Sequence, residues 1–128
     1  MIHSMIRVLE LQRSLDFYKK GFDLDIANQV DFEGFSLIYL SNQECSYELE
    51  LTVNNSQEGP YDLGNGYGHM AFTTDDLDGE HAKMKANGLE PKDIVDFYNG
   101  DDPVARFFFI NDPDGYSIEV IERGGHYQ

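Results

Sequence analysis

Two histidines and two glutamates recur along this chain at nearly matched spacing. His3 is followed 47 residues later by Glu50, and His69 is followed 50 residues later by Glu119. Imidazole nitrogen and carboxylate oxygen are common ligands of divalent transition ions, and one of each from two similar halves is the inventory of a four-ligand site. All four residues lie in segments that read as β-strands: HSMIRV, ELELTVN, GHMAFTT and GYSIEVIE. A shift of 66 residues lays His3 on His69 and Leu11 on Leu77, each leucine opening a helical stretch. The chain therefore reads as two copies of one unit.

The twofold period of a strand decides which neighbours share a face with each candidate ligand. Arg7 shares the face of His3, Thr52 and Asn54 that of Glu50, Ala71 and Thr73 that of His69, and Ser117 that of Glu119. The result is a polar cluster on a face that should otherwise be core. Two buried carboxylates need a compensating cation, and a bound metal is the simplest one. The plain alternative makes His3 a loose terminal residue and Glu50 an edge-strand surface charge. Joint placement in equivalent strands of two half-repeats favours the metal. Glu48 takes the place of Glu50 if the strand register is off by two. His81, in a polar helix, reads as solvated, and His126 lies in a tail (GGHYQ) expected to fray. Cys45 has no nearby base to activate it and reads as an inert thiol. No phosphate loop, nucleotide fingerprint or serine-nucleophile elbow is present.

The elements that must carry these residues follow from periodicity. Residues 2–8 alternate as a strand, and Leu11, Leu15, Tyr18 and Phe22 make the stripe of an amphipathic helix. Segments 25–31, 34–41 and 46–54 read as three strands, giving β-α-β-β-β. The second half repeats the order, with a strand at 68–74, a helix at about 76–87 closed by Gly88 and Pro91, and a strand near 93–97. A loop at 98–103 and strands at 105–110 and 115–122 complete it. The second helix has a thin stripe of Leu77, Met84 and Ala82. Asp112-Pro113-Asp114-Gly115 is a tight turn, with proline setting φ and glycine supplying the positive φ. The expected fold class is α+β: two βαβββ modules, about 1–55 and 67–123, joined by a Gly- and Asn-rich linker at about 56–66, in one domain spanning 1–128.

Composition bounds the partners. A net charge of −15 over 128 residues argues against nucleic acid and anionic membrane surfaces. The single cysteine excludes an intrachain disulfide and suits a reducing compartment. No apolar run approaches a membrane span, and His3 and Arg7 interrupt any signal-like apolar stretch, so a cytoplasmic protein is expected.

At HSMIRVLELQRSLDFY, ELELTVN, GYGHMAF and FINDPDGYSIEVIE the chain resembles the glyoxalase I (lactoylglutathione lyase) family of the vicinal oxygen chelate superfamily. The resemblance covers residues 3–122, and HxMIRV…SLDFY with DPDGYxIE is its specific part. It implies curved mixed sheets forming a cup around one divalent metal per chain, held by His3, Glu50, His69 and Glu119. Nickel or cobalt is favoured, since the short chain resembles bacterial members, and zinc is accommodated by the same ligands. Glu50 distinguishes this pattern from relatives with two His and one Glu, and from epimerases with Gln there. The implied reaction isomerises the methylglyoxal–glutathione hemithioacetal to S-lactoylglutathione. Glu119 is the implied proton-transfer base, Glu50 its partner carboxylate, and Arg7 and Asn54 hold the γ-glutamyl end of glutathione. A homodimer is implied, with His3 and Glu50 of one chain meeting His69 and Glu119 of the other. The chain departs from the family in the loop DFYNGDDPVAR, where basic residues usually meet the glycyl carboxylate. Here stand Asp96, Asp101 and Asp102, with Arg106 the only nearby cation, and Asn65 stands where some members carry Arg. Rival readings are another lyase, isomerase or epimerase of the superfamily acting on a different thiol adduct, and a non-catalytic small-molecule-binding module.

Overall fold

The computed structural model describes residues 1–128, which divide into two units, Met1–Asp62 and Leu63–Gln128. Unit 1 runs β1 (His3–Arg7), α1 (Leu11–Phe22), β2 (Asp25–Phe32), β3 (Phe35–Asn42) and β4 (Cys45–Asn54). Its sheet has the order β1-β4-β3-β2, with β1 parallel to β4 and the other pairs antiparallel. A parallel neighbour needs a crossover, and α1 is the first part of it. Strand β4 is thus interior, which explains its run of four buried residues, Leu49 to Thr52. Glu50 is not an edge charge.

The helix-side face of this sheet is its core. Ile6, Val8, Ile38, Leu40, Leu49 and Leu51 are all buried there. Helix α1 buries Ser14, Phe17, Tyr18 and Gly21, while Leu11, Leu15 and Phe22 are only partly covered. The buried stripe is therefore rotated from the leucine stripe that periodicity suggested. Ser14 and Gly21 flank Tyr18 on it, and small side chains let a helix approach a sheet closely. The helix stops at Asp23, which is left-handed at φ 53° and returns its N–H to the Lys19 carbonyl at 3.1 Å.

Unit 2 repeats the plan with β5 (Met70–Thr74), α2 (Leu77–Ala86), β6 (Val95–Asn99), β7 (Asp102–Asn111) and β8 (Ser117–Glu122), in the order β5-β8-β7-β6. Strand β5 is parallel to β8. Leu77 and Met84 of α2 are buried, Ala82 is exposed, and Phe108, Ile110, Ile118 and Val120 fill the face beneath. Asp76 caps α2 by accepting the Gly79 N–H at 2.9 Å, and Gly88, at φ 78°, ends it. The segment read as a loop at 98–103 is instead a tight hairpin, since β6 and β7 stay paired to Asn99 and Asp102 around Gly100 at φ 63°. Two further expectations are corrected. His81 is not simply solvated: it bonds the Lys92 carbonyl at 2.9 Å and stands edge-on to Phe108 at 4.9 Å. The tail does not fray but closes on itself through reciprocal Gly124–Tyr127 bonds of 2.8 Å. No helix is long and apolar enough to cross a membrane.

Candidate metal centre

Each unit brings one imidazole and one carboxylate together. His3 Nε2 lies 3.1 Å from Glu50 Oε2, and His69 Nε2 lies 3.3 Å from Glu119 Oε2. The same atoms approach each other in both units, which a chance surface ion pair would not reproduce. Glu50 is 8% exposed and Glu119 is half-buried, while both histidines keep an open edge. Ligand–metal bonds of about 2.0–2.2 Å place neighbouring ligand atoms about 3 Å apart, and both pairs have that spacing. Two donors do not complete a transition-ion shell, which takes four to six. Neither unit by itself holds a third His, Cys, Asp or Glu in such a group.

Sheet register explains how the pairs arise. On β1 the backbone partner of His3 is Glu48, yet Glu50 is the residue within reach of its ring. The partner of Glu50 on the other side is Tyr39 of β3, whose ring stands edge-on to His3 at 5.8 Å. Thr52 Oγ1 donates to Glu50 Oε1 at 3.3 Å. In unit 2, His69 falls one residue before β5, and Glu119 is paired with Ala71 on one side and Phe109 on the other. Phe109 stands edge-on to His69 at 5.3 Å. The turn before β8 is fixed by Asp112, whose buried carboxylate accepts the N–H groups of Asp114 and Tyr116 at 2.9 Å each, with Gly115 at φ 95°.

The other candidates are placed as follows. Arg7 is paired with Thr52 and exposed, on the face of His3. Asn54 is half-buried at the end of β4, and its amide donates to the Tyr61 hydroxyl at 3.0 Å, so its carbonyl oxygen points elsewhere. Arg106 alternates with Phe107 and Phe109 and shares its face with Phe108 and Ile110, opposite the face of Glu119. There Asp78, Asp96 and Glu122 engage it at 3.2, 2.8 and 3.2 Å. Hydrogen bonds to Asp78 and then Asp96 hold its proton more firmly than usual. It is not available to the His69–Glu119 pair.

Sequence reading named the four residues of these two pairs but missed Tyr39 and Phe109 beside them and Tyr61 beside Asn54. Mirroring β3 onto β4 about their turn at Asn42–Cys45 sets Tyr39 opposite Glu48. A bulge between Leu40 and Asn42 moves it opposite Glu50. The signal was an aromatic residue in each penultimate strand, and the bulge concealed its partner.

Two βαβββ units, each closing on a His–Glu pair, define a metal-centre scaffold of the vicinal oxygen chelate type. A sequence profile of the Glyoxalase/Bleomycin resistance protein/Dioxygenase superfamily matches residues 1–120, and the chain belongs to this superfamily. It is 36% identical to a lactoylglutathione lyase of Neisseria meningitidis over 96% of this chain and 90% of that one. It is 35% identical to the lactoylglutathione lyase of Escherichia coli O157:H7, over 95% and 91% respectively. Among solved structures, glyoxalase I of Zea mays superposes with a TM-score of 0.84 at 28% identity, covering 98% of this chain. The chain spans 45% of the maize protein. Membership among the glyoxalase I relatives implies a divalent metal.

Proposed function

We propose that this protein is a glyoxalase I, isomerising the hemithioacetal of methylglyoxal and glutathione to S-lactoylglutathione. The observation that carries the reading is the repeated 3.1 and 3.3 Å pairing of imidazole and carboxylate, one pair per unit. It is supported by nearly full-length likeness to lactoylglutathione lyases. His3, Glu50, His69 and Glu119 would hold the metal, with nickel or cobalt favoured and zinc accommodated. When bound, a divalent ion supplies Lewis-acid stabilisation of negative charge developing on the substrate oxygens. Glu119 takes the proton from one carbon and returns it to the adjacent carbon, as a carboxylate held beside the reacting atoms can do. Glu50 faces it as the second carboxylate. Arg7 gives a charge-assisted bond to the carboxylate of the thiol portion, and the Asn54 carbonyl accepts from its ammonium or amide.

The reading includes a homodimer in which His3 and Glu50 of one chain meet His69 and Glu119 of the other. Two half-centres per chain are then completed twice in the pair. The face that carries each pair also carries exposed apolar residues, Met5, Val30 and Phe32 in unit 1 and Val95 and Phe97 in unit 2, which need cover. A reducing cytoplasmic setting, where glutathione is abundant as the thiol, agrees with the exposed free Cys45.

A different thiol is the second reading, and Arg106 favours it. Its three carboxylate partners and its opposite-face placement leave the β6–β7 hairpin with Asp96, Asp101 and Asp102 and no cation for a glycyl carboxylate. The test is isomerisation by metal-stripped protein resupplied with Ni²⁺, Co²⁺ or Zn²⁺, using methylglyoxal adducts of glutathione and of its glycyl amide. Metal-dependent turnover of either adduct supports the isomerase; preference for the amide selects the second reading, and turnover of neither contradicts both.

A further inference from the structure

The segment that follows β4 folds back on the last residue of that strand. The Asn54 backbone carbonyl accepts the Gln57 N–H at 3.1 Å, and Gln57 Nε2 donates to the Gly59 carbonyl at 2.7 Å. The chain is thereby turned so that the half-buried Tyr61 meets Asn54, whose Nδ2 donates to the Tyr61 hydroxyl at 3.0 Å. Across β3–β4 the neighbour of Asn54 is Phe35, stacked on Phe32 at 4.6 Å, which offers no polar side chain there.

An asparagine amide has two chemically opposite ends of similar size, a donor and an acceptor. Tyr61 occupies the donor end. No group of the protein bonds Oδ1, and no buried side-chain oxygen or nitrogen is left without a partner. Oδ1 of the half-buried Asn54 is therefore open to solvent. The twofold strand period puts this side chain on the face of Thr52 and of its cross-strand partner Arg7. Arg7 can only donate, and Asn54 is held to accept. A carboxylate and an ammonium on one carbon, the end of an α-amino acid, have the complementary polarity.

We infer that Tyr61 is a positioning residue: by accepting from the Asn54 amide it turns the carbonyl outward and makes the thiol site selective for a free α-ammonium. Without the hydroxyl the amide can present either end, and the reversed amide offers its N–H to a positive charge. The inference rests on the reading of Asn54 as a thiol-binding residue, and it adds the group that sets that residue's polarity.

The test measures, by titration calorimetry on the full chain, the affinity of S-methylglutathione and of its des-amino analogue, in which hydrogen replaces the ammonium. Neither compound can react, so binding is read apart from turnover. The parent should prefer the ammonium form by roughly tenfold or more, as one charge-assisted hydrogen bond would give. Tyr61→Phe should shrink that preference about fivefold while binding the des-amino analogue within about twofold of the parent. If the Phe variant does not fold, as judged by its thermal transition, Tyr61→Met carries the same expectation. Asn54→Ala should remove the preference, and Tyr61→Phe added to it should change nothing further. A preference retained in full by the Tyr61 variant overturns the inference alone. Equal weakening of both compounds does the same, since it would make Tyr61 merely structural. A parent that binds neither compound or prefers neither, or a preference that survives Asn54→Ala, overturns the placement of Asn54 and this inference with it.

Discussion

Glu119 and Glu50 are chemically identical side chains in equivalent strands, so their roles must be set by what surrounds them. Glu119→Gln keeps an oxygen ligand and removes the base. It should reduce kcat by about 10²–10⁴-fold with a smaller effect on metal content, as measured by steady-state kinetics beside metal analysis. Glu50→Gln should cost less in kcat; the opposite order would exchange the two roles. Arg7→Ala should weaken binding of the thiol portion by about 1.5–3 kcal/mol, seen as a raised KM or inhibitor Kd. A fast glutathione reaction insensitive to that change would remove Arg7 from the site. The two His–Glu pairs were legible at this scale, because His and Glu at matched intervals carry their chemistry in their names. Their cross-strand neighbours were not. Tyr39 and Phe109 look like ordinary strand aromatics until the register shows what they face.

The turn that delivers β8 is the element whose local chemistry bears most directly on Glu119. Asp112 is 5% exposed and accepts two backbone N–H groups of the turn. Asp112→Ala strands those donors and should cost about 1–3 kcal/mol of stability, measured by denaturant unfolding, and should disturb turnover without removing a ligand. Unchanged stability would mean that the proline and glycine suffice to form the turn. The DPDG motif announced this element plainly, as did the leucine spacing of α1. The buried face of α1 was less legible, since Ser14 and Gly21 are on it for their small size rather than their hydropathy. The tip of the β6–β7 hairpin, residues 98–103, was misread as a loop for a related reason. Its residues are exposed and rich in Asp and Asn, so no apolar alternation marks them, and backbone pairing of Tyr98 and Asn99 with Pro103 and Asp102 holds them instead.

At the scale of the molecule, the account depends on half-centres being completed by a second copy. Nothing in residue spacing distinguishes a centre closed within one chain from one closed between two chains, because either arrangement uses the same four residues. Mixing separates them. His3→Ala and His69→Ala should each be inactive alone. Refolded together in equal amounts, half of the dimers are mixed, and each mixed dimer has one centre that escapes both substitutions. The account predicts recovery of about a quarter of the parent's hemithioacetal isomerase activity, with metal bound in the same proportion. Mixed protein that forms dimers yet recovers neither activity nor metal would contradict it.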